Sequence, residues 1–394
     1  MLTSLLLAVL QDLAPGRGEA RLETPGGPLR FGLELAVSKA GWSAFLVNGE
    51  ERIAVPEVHV DGDELRLEMP HYDSRIIARS EAGALHGIWE KRRGREQVAR
   101  VPFHVDAPTL CDVGTVPVEF EPLFTGRWAV DFETDDQPAV AQFFELPQGR
   151  TLGTFLTATG DYRYLDGRRE GDKLELSCFD GAHAFLFKAQ LQADGSLKGD
   201  FWSGNWHHET WSAKRDDAAE LADPFAQTTW NGRTRLADLA FPGLDGTKRS
   251  LADPAARATL QVVFGSWCPN CNDEAALLKE LDATYRERGL RILLLAFELT
   301  GDFRRDAEQV RIFQERHGLA ELPAFLCGTA DKAEATKALG LVDRVRAFPT
   351  TIFVGADGLP KAIHSGFAGP ATGEEHQRLR RDFAARIEAL LPPR

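Results

Sequence analysis

Between residues 29 and 215, apolar and polar side chains alternate in short segments that are separated by Gly, Asp and Asn turns. The clearest of these segments are residues 32–36, 41–47, 64–69, 126–132 and 173–178. A period of two is typical of strands that bury one face, because successive side chains of a strand point to opposite sides. No long helical period interrupts the alternation, so we predict an all-β region.

Two blocks of this region occur twice. Residues 62–67, Gly-Asp-Glu-Leu-Arg-Leu, return at 171–176 as Gly-Asp-Lys-Leu-Glu-Leu, and the block at 83–89 returns in similar form at 195–202. Both offsets are about 110 residues, which indicates an internal repeat. We predict a duplicated antiparallel β module with a first unit at 21–110 and a second at 111–215. Two barrels, two sandwiches or two halves of one larger barrel would each fit.

Beyond residue 240 the pattern changes to alternating strands and helices. The runs at 260–264 and 291–297 are almost continuously apolar, which is typical of parallel strands covered on both faces. Helical periods occupy residues 304–317, 333–339 and 374–391. This order predicts an α/β domain at 241–394 after a polar linker at 216–240, so the fold class is multidomain α/β plus all-β.

The net charge and the length of the chain limit the classes of function that we expect. The chain has 394 residues and a formal net charge of −13, with no basic block that contains interleaved aromatic residues. Nucleic-acid binding is therefore not expected, and neither is adhesion to an anionic membrane surface. Residues 1–20 contain a signal-like apolar segment at 2–10, which is too short to span a bilayer as a helix. A short docked helix is the alternative for this segment.

The strongest chemical motif follows the strand at 260–264, where Trp267-Cys268-Pro269-Asn270-Cys271 leads into a helical pattern. We expect Cys268 at a helix N-terminus, where unpaired amides and the helix dipole favour a thiolate. Cys271 lies one turn later, so it can resolve a mixed disulfide on Cys268 and close a Cys268–Cys271 disulfide. Zinc binding would need more ligands nearby, and the nearest downstream histidine is His317. We predict no metal and no cofactor.

Motifs on both sides of the dithiol resemble the thioredoxin-like domains of the TlpA/ResA group of bacterial disulfide reductases. The similarity extends over about residues 241–391, and its motifs follow one another in the expected order. They are Phe241-Pro242-Gly243-Leu244-Asp245-Gly246, Ser250-Leu251-Ala252-Asp253, Trp267-Cys268-Pro269-Asn270-Cys271 with Glu274, and Phe348-Pro349-Thr350-Thr351.

The resemblance implies roles for residues outside the dithiol. Pro349 would be a cis-proline that faces the disulfide, and Phe348 and Thr350 would contact an extended substrate segment. Trp267 would form an apolar surface beside the thiols. An ordinary trans turn is the alternative at Phe348-Pro349.

Glu274 corresponds to a carboxylate that the family places close to the thiols, where it could take up or return a proton. Its alternative is a solvated glutamate that complements the helix dipole. Val262 departs from thioredoxins proper, which bury an aspartate at that position, so proton handling is expected to differ.

These observations favour a thiol–disulfide oxidoreductase that acts on protein disulfides and depends on an upstream thiol reductant. The resemblance implies a bacterial periplasm or cell envelope, with the cytoplasm as the alternative. A thiol peroxidase of the same superfamily would place its cysteine in a Pro-x-x-x-Thr-x-x-Cys setting, which the residues before Cys268 lack. A ligand-binding or scaffold β protein of the envelope with a passenger redox domain is the third hypothesis.

The other cysteines and a cluster of aromatic residues have simpler explanations. Cys111, Cys178 and Cys327 are expected to be small apolar fillers, although Cys111 and Cys178 could pair in an oxidising compartment. The aromatic cluster suggests a ligand site or, more simply, the filling of a barrel interior. It comprises Trp202, Trp206 and Trp211 with His207, His208 and Glu209.

Overall fold

A computed structural model describes residues 15–106, 121–135 and 137–393. The chain consists of two compact units. The first takes in most residues up to Ala219, and the second consists of Gly94–Glu96, Leu156–Asp161 and Glu220–Arg394. The signal-like segment at 2–10 and Cys111 lie outside the described residues, so the expectations for them stay predictions.

The chain from residue 16 to residue 215, most of which belongs to the first unit, is built almost entirely from antiparallel strands that turn at glycines and short loops. The strands are β1 (Gly16–Thr24), β2 (Gly27–Ser38), β3 (Gly41–Asn48), β4 (Glu51–Ala54), β5 (Glu57–Asp61), β6 (Glu64–Met69), β7 (Ser74–Glu81), β8 (Ala84–Arg92), β9 (Val98–Val105), β10 (Gly126–Phe132), β11 (Ala139–Glu145), β12 (Arg150–Thr157), β13 (Gly160–Asp161), β14 (Leu165–Glu170), β15 (Lys173–Phe179), β16 (Ala184–Leu191), β17 (Leu197–Ser203) and β18 (His207–Arg215).

These strands form two sheets of nine strands each. The first sheet has the order β4-β3-β2-β1-β9-β8-β7-β6-β5, so β1 and β9 pair at its centre. The second has the order β11-β10-β18-β17-β16-β15-β14-β12-β13, and β11 also pairs with β12. That extra pairing closes the second sheet on itself, which removes the open edges that a barrel avoids.

The repeated sequence blocks occupy corresponding hairpins of the two sheets. Gly62 and Gly171 have φ values of 61° and 61° in the turns that precede β6 and β15, a region of backbone space that favours glycine. Gly87 in β8 and Gly199 in β17 lie in close strand contacts, where an added Cβ would stand 2.0 Å and 2.1 Å from the carbonyl oxygens of the adjacent strands. The sequence repeat therefore coincides with a repeat of local backbone geometry.

The two sheets of the first unit share buried polar contacts as well as apolar ones. Asn48 at the end of β3 exchanges two hydrogen bonds with the backbone of Phe179 in β15, at 3.0 Å and 2.9 Å. Phe179 also packs with the apolar side chains of the first sheet. A buried amide that satisfies both backbone groups of a partner residue fixes the register between the two sheets.

Aromatic side chains fill the interior of the second sheet. Phe155 and Phe187 stack with ring centroids 4.3 Å apart, and Trp211 meets Phe155 edge to face at 5.1 Å. Trp211 is 4% exposed within this cluster, whereas His208 faces outward and stacks on Trp202. For Trp211 this packing favours the simpler of the two hypotheses, namely that the residue fills the interior of a barrel.

The second unit combines short strands with four helices. Its elements are β19 (Ala240–Pro242), β20 (Lys248–Ser250), β21 (Ala258–Phe264), α1 (Pro269–Tyr285), β22 (Leu290–Glu298), α2 (Phe303–His317), β23 (Ala324–Thr329), α3 (Lys332–Leu339), β24 (Thr350–Gly355), β25 (Pro360–Ser365) and α4 (Glu374–Leu390).

A five-stranded sheet with the order β23-β22-β21-β24-β25 forms the centre of this unit. β21, β22 and β23 are parallel, and β24 runs antiparallel to β21. Every residue of β21 is buried, which agrees with the apolar run that predicts a covered central strand. Over the described residues the chain is mostly β with four α-helices, which confirms the coarse expectation of both β and α/β content; the arrangement of domains stays a prediction.

The residues before β19 pack into the core of the second unit. Leu236 and Leu239 are 5% and 8% exposed within the same apolar cluster as β21 and α1, and Trp230 packs against that cluster. The linker expected at 216–240 therefore has a part that buries apolar surface; its boundaries stay a prediction. Within the part of the chain that the structure describes, no helix is long and apolar enough to span a membrane.

Replacing Phe155 by alanine tests the aromatic interior. Phe155 is fully buried, so Phe155→Ala should lower the free energy of unfolding of the first unit by about 3–5 kcal/mol through lost contacts and a cavity. Phe144→Ala is the matched control, because Phe144 is 58% exposed and its loss should change stability by less than about 0.5 kcal/mol. Urea denaturation followed by tryptophan fluorescence measures both; equal midpoints for the two variants would contradict the assigned interior.

Candidate functional site: a dithiol where a strand meets a helix

The dithiol lies where β21 ends and α1 begins. Cys268 is the N-cap residue of α1 with extended backbone angles, and Pro269 occupies the first helical turn. This agrees with the helix start expected at Cys268, because proline tolerates the first turn and lacks only an N–H that a helix start leaves unpaired. Both cysteines are free thiols.

The two sulfurs are buried and contact each other. Cys268 is 7% exposed and Cys271 is 2% exposed. Burial is the largest cause that raises the pKa of the Cys271 thiol well above its usual range, followed by a hydrogen bond with Cys268. Cys271 is therefore protonated at neutral pH and has to lose that proton before it can act as a nucleophile.

The Phe348–Pro349 segment lies directly beside the first thiol. The peptide bond between these two residues is cis. Cys268 Sγ lies 3.3 Å from the carbonyl oxygen of Phe348 and donates a hydrogen bond to it. The Pro349 carbonyl accepts from Gly366 N at 2.9 Å. The structure thus brings Cys268, Cys271, Phe348 and Pro349 together in one site.

Trp267 and Thr350 lie at the borders of this site. The indole Nε1 of Trp267 donates to Phe297 O at 2.9 Å, and its ring meets the Phe348 ring edge to face at 5.6 Å. Thr350 is fully buried, and its hydroxyl donates to Ala347 O. A substrate contact by Thr350 would therefore involve its backbone, whereas Trp267 keeps part of its side chain accessible.

Glu274 is buried one helical turn after Cys271. It is 1% exposed, so the structure differs from the hypothesis of a solvated first-turn glutamate. Thr351 Oγ1 donates to Glu274 Oε1 at 2.6 Å, and Thr351 pairs with Val262 across the sheet. The carboxyl group therefore lies beside the position where thioredoxins proper carry an aspartate. Burial raises the pKa of Glu274 to about 7, against the lowering effect of the Thr351 hydrogen bond.

A second buried carboxylate holds the loop before the dithiol. Glu298, at the end of β22, accepts hydrogen bonds from Ser266 N at 2.8 Å and from Ser266 Oγ at 2.7 Å. The contact joins residues 32 positions apart, so only the pairing of β21 with β22 brings them together.

Asn272 and His317 complete the surroundings of the dithiol. The Asn272 amide donates to Ser266 O and to Cys268 O at 3.1 Å and 2.9 Å, and its oxygen lies 2.7 Å from His317 Nε2. From the sequence, His317 is considered only as a histidine too distant from the cysteines to complete a zinc site. Its place in the last turn of α2 is the one signal that could have drawn attention to it. Among the residues described, no three His, Cys, Asp or Glu side chains cluster as metal ligands.

No protein-family model matches the chain. Solved structures resemble it over part of its length. A thiol:disulfide interchange protein of the thioredoxin family from Chlorobium tepidum is 17% identical over 44% of this chain and 99% of its own, with a TM-score of 0.29. A DsbF homologue from Corynebacterium diphtheriae is 19% identical over 44% and 99%, with a TM-score of 0.32.

A secreted disulfide oxidoreductase from Mycobacterium tuberculosis, homologous to Escherichia coli DsbE, is 20% identical over 36% of this chain and 95% of its own, with a TM-score of 0.27. The neighbours are thus thioredoxin-fold thiol:disulfide oxidoreductases, and the similarity covers about 40% of the chain.

Stability as a function of pH tests the burial of Glu274. Because its pKa is raised to about 7, the folded protein keeps this proton at pH values where the unfolded chain has lost it. The contribution to stability is therefore complete below about pH 4.5 and is lost as pH rises through 7, a loss of about 3 kcal/mol. Glu274→Gln cannot ionise, so it should lack this loss.

Urea denaturation of the reduced full chain at pH 4.5, 6 and 8 measures the effect as the difference between wild type and variant. Glu280→Gln is the control, because Glu280 is exposed on the same helix. If the Glu274→Gln difference is the same at all three pH values, the carboxyl group is solvated and the assignment is wrong.

Proposed function

We propose that the second unit is a thioredoxin-like thiol–disulfide oxidoreductase that exchanges protein disulfides through Cys268 and Cys271. One observation carries the proposal: two contacting thiols at the start of α1 lie beside the backbone of Phe348, with Cys268 Sγ 3.3 Å from the Phe348 carbonyl. A thiol that must react with an extended protein segment needs accessible backbone groups within reach of its sulfur, since main-chain pairing gives sequence-tolerant binding.

The reaction begins with Cys268 as the attacking thiolate. Cys268 is the N-cap residue of α1, so its sulfur lies at the positive end of the helix dipole. Sγ of Cys268 attacks one sulfur of the substrate disulfide, a new S–S bond forms, and the other substrate sulfur leaves as a thiolate that takes up a proton. The product of this step is a mixed disulfide between Cys268 and the substrate.

Cys271 completes the exchange. Its thiolate attacks Cys268 Sγ, which forms the Cys268–Cys271 disulfide and releases the second substrate sulfur. Two electrons have then passed from the dithiol to the substrate, and an upstream thiol reductant has to return them. The opposite direction uses the same bonds in reverse order.

Glu274 is the proposed acceptor for the Cys271 proton. Its pKa of about 7 lets it exist in both protonation states near neutral pH, which a proton relay requires. The two residues lie one turn apart on α1, and the Glu274 charge is among the causes that raise the pKa of Cys271. Transfer of the proton removes that charge just as the thiolate forms.

Substrate contacts would come from the segment around the proline. The Phe348 backbone is the proposed pairing partner of an extended substrate, with Pro349 and Thr350 next to it and the Trp267 ring as a flanking apolar surface. The Mycobacterium tuberculosis neighbour is a secreted protein, and we propose a periplasmic or envelope location for this chain.

Trapping of the intermediate tests the exchange. Cys271→Ser should accumulate a mixed disulfide between Cys268 and a protein substrate such as insulin, because the resolving nucleophile is absent. Cys268→Ser should form no adduct and should not accelerate the reduction of insulin by dithiothreitol. Mass spectrometry identifies the adduct, and turbidity follows insulin reduction.

Cys327→Ser serves as the matched control, since this buried thiol lies outside the site and its replacement should leave the rate unchanged. Reactivity that persists in Cys268→Ser, or peroxide turnover that survives in Cys271→Ser, would contradict the proposal and favour a peroxidase.

Kinetics of the second step test the relay. In wild type, the rate at which Cys271 resolves the mixed disulfide should rise through about pH 7 as Glu274 becomes able to accept a proton. Glu274→Gln should lose that inflection and resolve the disulfide about 10²-fold more slowly at pH 7. Stopped-flow measurement of the release of a labelled thiol supplies both profiles; an unchanged inflection in the variant would exclude Glu274.

A further inference from the structure

The Asn272 side chain makes three hydrogen bonds at the base of the dithiol loop, two through Nδ2 and one through Oδ1. Its Nδ2 group donates to Ser266 O and to Cys268 O, and its backbone N–H donates to Cys268 O at 3.1 Å. The residue is 6% exposed, so water does not compete for these bonds. The carbonyl of the attacking cysteine is therefore held by two donors from the same residue.

His317 binds the oxygen of this amide. The carbonyl oxygens of Ser266 and Cys268 can only accept, so they hold the Nδ2 group towards them and leave Oδ1 facing the imidazole. His317 Nε2 is 2.7 Å from Asn272 Oδ1, and an amide oxygen can only accept, so the imidazole donates. The histidine thus adds a third hydrogen bond that holds the amide in this orientation.

The imidazole is well suited to a fixed donor role. Burial, with smaller contributions from Arg316 and Lys279, lowers the pKa of His317 to about 4. At neutral pH the ring is uncharged and keeps its proton on Nε2. It packs on Phe313 at 4.8 Å, and Phe313 packs on Phe264 at 4.9 Å, so the ring is anchored to α2 and to the strand before the dithiol.

We propose that His317 and Asn272 are positioning residues for the dithiol, in that they fix the backbone of Cys268 so that its sulfur stays aligned with Cys271 and with the Phe348 carbonyl. This inference rests on the exchange reaction proposed above. Neither residue touches a substrate or a reacting sulfur. They act through the N-cap carbonyl, and small errors in the position of a nucleophile cost large factors in rate.

A matched pair of substitutions separates the hydrogen bond from simple packing. His317→Gln keeps an N–H donor of similar reach, whereas His317→Leu keeps volume and loses the donor. We expect His317→Leu to slow insulin reduction at least about tenfold and to change the equilibrium constant of the dithiol with glutathione. His317→Gln should stay within about twofold of wild type in both measurements, because it keeps the donor. If the ring acted only by apolar packing, leucine would be the better replacement.

Two results would overturn the inference. One is wild-type values in His317→Leu, and the other is an equal loss of rate in His317→Leu and His317→Gln. If His317→Leu fails to fold, Asn272→Asp replaces it, because a carboxylate cannot donate to the two carbonyls and should weaken the reaction in the same way.

The glutathione equilibrium also keeps the two proposals apart. A wild-type protein that equilibrates with glutathione but reduces no protein disulfide would contradict the proposed function, while the comparison of leucine with glutamine still decides the role of His317.

Discussion

The junction between β21 and α1 is the constraint on which the site depends. The buried central strand β21 ends at Phe264, and α1 begins at Pro269, so four residues separate the strand from the helix. The backbone between them carries Trp267 and Cys268, and each of its polar groups discussed above has a partner in another element. Glu298 holds one end of the loop, and Asn272 holds the other.

Burial shifts the pKa of both kinds of acid in this site in the same direction, with different consequences at neutral pH. It raises the pKa of both Cys271 and Glu274, yet the outcomes differ because the starting values differ. The thiol moves further from neutrality and becomes reluctant to ionise, whereas the carboxyl group moves to about 7 and becomes able to exchange a proton there. One apolar environment therefore leaves the thiol protonated and places the pKa of the carboxyl group near neutrality.

The parts that could be predicted from the sequence are those specified by local pattern. The apolar runs at 260–264 and 291–297 appear within Ala258–Phe264 and Leu290–Glu298, and the helix expected at 304–317 is Phe303–His317. The place of the two cysteines at a helix start follows from the same local reasoning. The roles assigned to the site residues remain predictions.

The supporting contacts could not be predicted, because they join residues 32 and 45 positions apart in the sequence. Ser266 and Glu298 meet only because β21 and β22 are neighbours, and Asn272 and His317 meet only because α1 lies against α2. The repeat in the β region was visible in two blocks alone, since elsewhere the two copies share a period of two and little else.

The contact between His317 of α2 and Asn272 of α1 joins the dithiol to a helix outside the reacting motif. His317 belongs to a helix that contributes no reacting atom, yet its ring binds the amide that contacts the carbonyl of Cys268. Under the proposed positioning role, a substitution in α2 would shift the thiol–disulfide equilibrium of the pair while both sulfurs and their strand remain untouched. Redesign of this protein for a more reducing or more oxidising medium would therefore begin at α2, outside the dithiol motif itself.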